Sequence, residues 1–441
     1  MILNLLIFLG LSQALLREAL ASHDHNYGLG ATSSGRVGGV TADRENPFAA
    51  VYNPALISTG DLPRFGFTTA IARAQYGTLK GVLVDSPDFR TETGVSETRD
   101  FQLPDSRLFL WAVGLSYPFR LPPAVGKRRV GLGVVLAGPF TKLHSFRSST
   151  PYDFTALRYG TSDSQMKGTL GTSVELWPNR LYLGVGLSLF ITAAGTAEAT
   201  IAAENPSGRS ALDVGLNSAA ILGLTGGGGD DWVALVFRQK IAPTFVQKFV
   251  GKVQLAGEDT LYQPLLFQST LYYEPHTFET EWQHDFGGVK ASVGLSYQLW
   301  KGYQPSFLVA SAPNAHGEVS STRLPPLALQ NTLNPRASLV VPLFTDRLVI
   351  AGGYQYRPTP VADLSGPGNL LDTNTHILGI SVQHRLQKTA EFPAFSWGLF
   401  GQYHWLKHRP VTKAAPDFVG APHYDFSGSA YTYGISIQAE L

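Results

Sequence analysis

The feature that most constrains this chain is an alternation of period two that runs from Arg64 to the C-terminus. In VKASVGLSYQL, residues 289–299, every second side chain is apolar or aromatic, and those between are Lys, Ser, Gly, Ser and Gln. Residues 181–191 and 431–441 repeat the pattern. Successive side chains of a β-strand point to opposite faces, so the pattern predicts strands whose two faces meet different surroundings.

The composition of the second face indicates which surroundings these are. A soluble sandwich covers its outer face with Lys and Glu, but only 15% of this chain is Asp, Glu, Lys or Arg, against roughly 25% in soluble domains. A Gly-Leu-Ser or Gly-Ile-Ser motif places Gly and Ser together on the polar face. It occurs at Gly114–Ser116, Gly186–Ser188, Gly294–Ser296, Gly379–Ser381 and Gly434–Ser436. An apolar face toward lipid and a polar face toward a lumen are typical of a transmembrane β-barrel.

Breaks in the alternation predict an all-β fold of about fourteen antiparallel strands. The predicted strands include 127–146, 231–254 and 265–286. Short turns alternate with long connections, which cover residues 77–105, 147–163, 304–331, 359–372 and 410–427. An even strand number with both termini on one side predicts a multi-pass barrel in the outer membrane of a Gram-negative-type bacterium. The long connections would be extracellular and the short turns periplasmic.

The N-terminus divides into two parts before the barrel, which we assign to residues 63–441. Residues 1–21 have an apolar run that ends in Ala19-Leu20-Ala21, an A-x-A-like cleavage site, and predict a secretory signal peptide. The alternative is a short membrane anchor. Residues 22–62 lack the alternation and are small, apolar and broken by proline. Because a barrel of this width has room inside, we predict that they form a hatch, or plug, in the lumen.

The hatch segment contains motifs of a known family. Gly28-Leu29-Gly30, Ser33-Ser34-Gly35-Arg36, Ala42-Asp43 and Asn53-Pro54-Ala55-Leu56 resemble the N-terminal hatch of the FadL/TodX (OmpP1) family of outer-membrane transporters. Glu274-Pro275, WKGY at 300–303 and GGYQYRPTP at 352–360 fit the same family pattern. The resemblance implies passive uptake of long-chain fatty acids or other hydrophobic compounds. The implied path has an extracellular apolar groove, a lumen pocket above the hatch and a lateral wall opening at a kinked third strand.

The residues that we predict to form the hatch site are Phe48, Val51, Asn53, Pro54, Ala55 and Leu56. Proline fixes its own φ and biases the preceding residue toward extended geometry, so Asn53-Pro54 predicts a turn that positions the plug. The alternative is a turn that only leads into the first strand. The apolar side chains either line the floor of the pocket or only pack the hatch.

Gly138 and Pro139 are the candidates for the lateral opening, because they interrupt the third predicted strand. Proline removes a donor from the ladder, and a proline inside a strand indicates an edge or a bulge. The alternative is that the extracellular extension begins at Pro139.

Two further sets of residues are predicted to contact a ligand. The candidates for binding a carboxylate head group are Arg238, Lys240, Lys290 and Arg385, and the alternative is that they belong to salt bridges inside the lumen. The candidates for the extracellular uptake groove are Phe307, Leu308, Leu324 and Leu327. Exposed apolar residues in a loop indicate a binding surface.

Several functional classes are disfavoured. A net charge of +1 does not favour nucleic acid as a partner, and the absence of Cys excludes thiol chemistry, disulfides and Cys-based metal sites. Gly226–Asp231 lacks the Lys-Ser/Thr of a phosphate loop, and no Gly-x-Ser-x-Gly occurs. We read His23-Asp24-His25 as a solvated chain end rather than a metal site. We therefore expect a non-enzymatic protein without metal or cofactor.

The hypothesis that we favour is a transporter of hydrophobic molecules, and the alternative is a structural or adhesive barrel with a permanently closed plug. A lipid hydrolase is a third, weaker reading. The expected partners are a hydrophobic small molecule, outer-membrane lipid with lipopolysaccharide, and the barrel-assembly machinery. That machinery commonly reads a terminal Phe or Trp, whereas this chain ends in Leu441. We expect a monomer.

Overall fold

The computed structural model describes residues 26–84, 98–122, 128–140, 154–159, 166–202, 207–242, 244–254, 261–270, 273–303, 309–313, 319–321, 328–386 and 393–441. The helices are α1 (Ala31–Gly35), α2 (Ala49–Tyr52) and the 3-10 helices η1 (Pro54–Ser58) and η2 (Trp300–Gly302). None of the helices in these ranges is long and apolar enough to cross a membrane.

The remaining elements are strands. In chain order they are β1 (Arg64–Tyr76), β2 (Leu79–Leu83), β3 (Thr98–Phe101), β4 (Ser106–Arg120), β5 (Arg129–Pro139), β6 (Thr155–Ala156), β7 (Lys167–Trp177), β8 (Leu181–Ala202), β9 (Ser207–Gly228), β10 (Asp231–Arg238), β11 (Thr244–Gln254), β12 (Leu261–Thr270), β13 (Thr277–Asp285), β14 (Lys290–Gln298), β15 (Val309–Pro313), β16 (Val319–Ser321), β17 (Thr332–Leu343), β18 (Leu348–Arg357), β19 (Leu370–Leu371), β20 (Thr375–Leu386), β21 (Ala394–Thr412) and β22 (His423–Glu440).

Fourteen of the described strands form a closed antiparallel barrel, which confirms the predicted fold class. They are β1, β4, β5, β7, β8, β9, β10, β13, β14, β17, β18, β20, β21 and β22. The barrel closes because β1 pairs with β4 on one side and with β22 on the other. Arg64 lies opposite Ser116 in β4 and opposite Glu440 in β22.

The two faces of the wall differ as the alternation predicts. Outward side chains are apolar and exposed, and Leu132 and Ile380 keep 54% and 59% of their surface. Aromatic side chains such as Trp177 and Trp405 extend this exposed belt. Inward side chains such as Ser116 are polar and buried. A continuous apolar outer belt on a closed barrel is the surface that a lipid bilayer requires.

Two of the predicted strands are wrong in extent, because each divides into a wall strand and a strand outside the wall. The predicted 231–254 strand contains β10 and β11, and β11 leaves the wall to pair in parallel with the far end of β8. The predicted 265–286 strand contains β12 and β13, separated at Glu274-Pro275. Proline cannot donate to a ladder, so it favours this break.

The N-terminal segment, residues 26–62, packs against the inner face of the wall and is almost wholly buried. It touches the wall most closely where the wall carries glycine. A Cβ on Gly131 of β5 would lie 2.6 Å from Ile57, and one on Gly114 of β4 would lie 2.6 Å from Phe48. Only glycine lets the segment approach the wall backbone this closely.

The close approach of the N-terminal segment to Gly184 of β8 leads to a testable prediction. A Cβ there would collide with the backbone of Pro54 and Ala55. Overpacking of this kind costs about 1–3 kcal/mol, so Gly184→Ala should displace η1 and speed protease cleavage within residues 26–62. Gly228→Ala is the control, because no atom lies within 4 Å of its added Cβ. Equal cleavage rates in the two variants would contradict the prediction.

Candidate lumen site

The N-terminal segment is fastened to the wall by a buried charge network around Arg36, a residue that is only 1% exposed. Its Nη2 lies 3.2 Å from Glu281 Oε1 and donates to Gln283 Oε1 at 3.0 Å, and its Nη1 lies 3.4 Å from Asp43 Oδ2. The Nε donates to Ser338 Oγ at 3.0 Å. The guanidinium therefore joins the segment to strands β13 and β17.

Arg336 of β17 and Arg238 of β10 extend this network. Arg336 Nη2 lies 3.2 Å from Glu281 Oε2, and Arg238 Nη1 lies 2.8 Å from Glu279 Oε1. Arg238 Nη2 also donates to the carbonyl oxygen of Tyr52 at 2.5 Å. Arg238, a head-group candidate from the sequence, thus holds the segment in this structure.

The other three head-group candidates lie in different surroundings. Lys290 and Arg385 both pair with Glu45 of the segment, at 2.9 Å and 3.2 Å, near the short turns. Lys240 follows β10 and is exposed. The structure therefore does not bring the four cations together, and their role in binding a head group stays a prediction.

The Glu45 carboxylate remains ionised around neutral pH. The Lys290 ammonium is the main cause that lowers the pKa of this carboxyl to about 2, from 4.5. The pKa of Glu45 is lower in the folded protein than in the unfolded chain. The pairs of Glu45 with Lys290 and Arg385 therefore stabilise the folded state above pH 4.5, and this stabilisation is lost only as the pH falls toward 2. The side chain of Glu45 is 50% exposed, so each pair contributes at most about 1 kcal/mol.

The predicted hatch residues lie in the middle of the segment and are all buried. The Asn53 side chain caps η1 by accepting from the Ala55 N–H at 3.0 Å, and its amide donates to Thr225 Oγ1 of β9 at 2.6 Å. Phe48, Val51 and Leu56 belong to one apolar cluster with Ala112 and Val135 of the wall, and Ala55 packs with Tyr182 and Trp232. Pro54 begins η1.

A small chamber of about 70 Å³ lies between the segment and the long connections. Tyr52, Tyr273 and Trp300 contribute aromatic surface to it. Its polar lining includes the four arginines Arg158, Arg238, Arg336 and Arg357 and the carboxylates Glu274 and Glu279. The chamber above the segment therefore combines aromatic surface with a concentration of charged groups. The period-two pattern gave no signal for this concentration of arginine, because Arg158 comes from a loop and the others from three separate strands.

The candidates for the lateral opening lie at the end of a regular strand. Gly138 and Pro139 are the last residues of β5, where they pair with Trp111 and Leu110 of β4. On the other side, β5 pairs with β7 without a register shift as far as Ala137. The described pairing contains no bulge at this proline, and residues 141–146 of the predicted strand 127–146 lie outside the described residues. The four candidates for the uptake groove, Phe307, Leu308, Leu324 and Leu327, lie outside the described residues.

No protein-family model matches the chain, and no curated protein matches it by sequence. Among solved structures, a Pseudomonas aeruginosa FadL homologue matches with a TM-score of 0.58 and 14% identity, over 93% of this chain and 98% of that chain. This chain has the FadL-type barrel fold. The P. putida toluene transporter TodX matches with a TM-score of 0.54 and 11% identity, over 94% and 99% of the two chains. The monoaromatic hydrocarbon channel CymD gives 0.54 and 13%, over 94% and 98%.

The FadL-type fold agrees with the exposed outer belt of this protein. Together they identify an outer-membrane β-barrel. Because these proteins share only 11–14% identity with this chain, the similarity is detected in the arrangement of strands and not in the sequence.

Proposed function

We propose that this protein is a passive channel, and not an enzyme, that takes up long-chain fatty acids or other small hydrophobic molecules across the outer membrane. The observation that supports it most is the FadL-type fold over 93% of the chain, shared with a FadL homologue and with channels described for toluene and monoaromatic hydrocarbons. In this proposal the ligand is captured in an apolar groove of the long connections. It then reaches the lumen above residues 22–62, which act as the hatch.

A sheltered path has a physical reason. Moving an apolar molecule from a dry site into water costs about 0.8 kcal/mol per methylene, so a water-filled pore hinders an acyl chain. A lateral opening in the wall lets the ligand pass into lipid without that cost. Because the β5 ladder is regular, we propose that the opening lies instead between β9 and β10, where the described pairing ends at Arg238 and Ile221.

A second candidate function is a structural or adhesive barrel with a permanently closed plug. The buried network around Arg36 favours it, because Arg36 would have to leave Glu281, Gln283 and Ser338 of the wall before the segment moves. In the channel, this network would break when the segment moves. In the closed barrel, it would stay intact.

The deciding experiment measures uptake of radiolabelled oleate and of toluene by cells of a Gram-negative host that lacks its own transporter of this fold. Expression of the protein should speed uptake of at least one tracer, and the tracer that responds identifies the substrate class. Unchanged uptake of both would reject the channel and favour the closed barrel. The level of folded barrel in the outer membrane is the control for expression.

A further inference from the structure

A second cavity, of about 150 Å³, lies at the short-turn end of the barrel and shares no lining residue with the chamber described above. It lies between the N-terminal segment and the wall. One side of it is apolar. The side chains there include Leu29, Phe65, Val340, Val349, Leu386 and Phe395. Engineered apolar cavities of about 150 Å³ in other proteins bind benzene, so the volume suits one aromatic ring.

The other side of the cavity carries two buried donors without partners. Asn46 and Arg64 line the cavity and are 6% and 4% exposed. Asn46 Nδ2 and Arg64 Nη2 have no hydrogen-bond partner. The orientation of the amide is set by its oxygen, which accepts from the Phe48 N–H at 2.9 Å. A buried N–H without an acceptor is unfavourable, so both groups favour a ligand that supplies oxygen atoms.

The charges around the cavity leave one cation available. The lining contains the cations Arg36, Arg64, Lys290 and Arg385 and the acids Asp43, Glu45 and Glu440. Asp43 pairs with Arg36, and Glu45 pairs with Lys290 and Arg385. Among the described residues, no ion pair within 4.0 Å includes Arg64. Asp43, Glu440 and Glu45 attract the Arg64 guanidinium at longer range, and Glu440 lies opposite it in the ladder.

We propose that this cavity binds a small aromatic carboxylate, with its ring against the apolar side and its carboxylate between Asn46 Nδ2 and Arg64 Nη2. A charged carboxylate accepts stronger hydrogen bonds than a neutral group, and a guanidinium matches its geometry. The ligand enters from the short-turn end, because a mouth of about 360 Å³ shares Glu45 and Arg64 with the cavity. The site goes beyond the proposed uptake function and does not depend on it.

The test is a calorimetric titration of the full-length, detergent-solubilised protein with benzoate. The wild-type protein should bind one benzoate and should bind toluene more weakly. Asn46→Asp keeps the oxygen that Phe48 requires and replaces the free NH2 with a repelling oxygen, so it should abolish benzoate binding. Asn374→Asp is the matched control and should bind as the wild type, because Asn374 Oδ1 likewise accepts a backbone N–H, from Thr359 at 2.9 Å.

Folding of each variant is checked by the shift of the barrel on unheated gels. If Asn46→Asp fails this check, Arg64→Lys replaces it, since it keeps the charge and removes the Nη2 donor. Absence of benzoate binding by the wild type would overturn the proposal and leave water as the partner of both nitrogens. Wild-type affinity in the folded Asn46→Asp or Arg64→Lys protein would also overturn it. Because binding is measured without transport, benzoate binding without uptake of oleate or toluene would reject only the uptake function.

Discussion

The substitution Arg36→Met should release the N-terminal segment and make the barrel permeable to small polar solutes. Arg36 is buried and contacts Glu281, Asp43 and Ser338. Glu281 would still pair with Arg336, but the buried Asp43 would lose its ion-pair partner, and removing one partner from a buried charge pair costs about 3–5 kcal/mol. The barrel strands keep their own ladders, so this cost falls on the segment and not on the wall.

The effect can be measured as single-channel conductance in planar bilayers, together with the sensitivity of expressing cells to a polar antibiotic that the outer membrane normally excludes. The control is Arg385→Met, which breaks an exposed pair with Glu45 and should change conductance little. If Arg36→Met conducts as little as the wild type, the charge network does not hold the segment. Apolar packing against the glycines of the wall would then be sufficient.

The repeated Gly-x-Ser motif shows how far the sequence could predict this structure. The alternation correctly assigned its glycine and serine to the inner face. The structure adds that several of these positions contact the segment: Ser116 Oγ donates to the carbonyl oxygen of Pro47 at 3.1 Å, and Ser436 Oγ accepts from the Ala31 N–H at 3.1 Å. A Cβ on Gly379 would lie 2.5 Å from the carbonyl oxygen of Ser34. Period two assigns a face to each side chain, but it contains no information about what occupies the lumen.

The pairing of charges could not be predicted for the same reason. Arg36 and Glu281 are 245 residues apart in the chain and meet only because the segment turns back into the lumen. In the sequence Arg36 stands out only as part of a family motif, and Arg238 is a candidate for a head-group site or for a salt bridge inside the lumen, without a named partner. Strand periodicity is local, whereas the partner of a buried cation depends on the closed barrel. The extent of β10 was missed likewise, because Ile241 falls on the same face as Leu235 and Phe237 although the wall strand has ended at Arg238.

A disulfide between β9 and β10 should reduce uptake of the hydrophobic tracer far more than one between β5 and β7. Above Ile221 the edge of β9 pairs with no strand in the described part of the chain on the β10 side. One further residue pair continues the contact: the Gln239 N–H donates to the Ala220 carbonyl oxygen at 2.9 Å, and Gln239 Oε1 accepts from the Ala220 N–H at 3.0 Å. The outer face of β9 remains apolar beyond that point, with Leu216 69% exposed. This seam, the boundary of β9 and β10 beyond Ala220 and Gln239, therefore faces lipid and has no further pairing between the two strands in the described residues.

The variant Ala220→Cys/Gln239→Cys tests this seam, because facing residues of an antiparallel pair lie about 4.5–5.5 Å apart at Cα and a disulfide accepts that range. Leu136→Cys/Gly168→Cys places the matched bond across β5 and β7, beside Pro139. The chain has no cysteine of its own, so each pair can form only the intended bond within the molecule. We expect the oxidised β9–β10 variant to lose uptake and to regain it on reduction. Loss only in the β5–β7 variant would place the opening at Gly138-Pro139, as the sequence predicted. Full uptake in both oxidised variants would mean that the ligand leaves through the lumen into the periplasm, past the N-terminal segment that Arg36 holds in place.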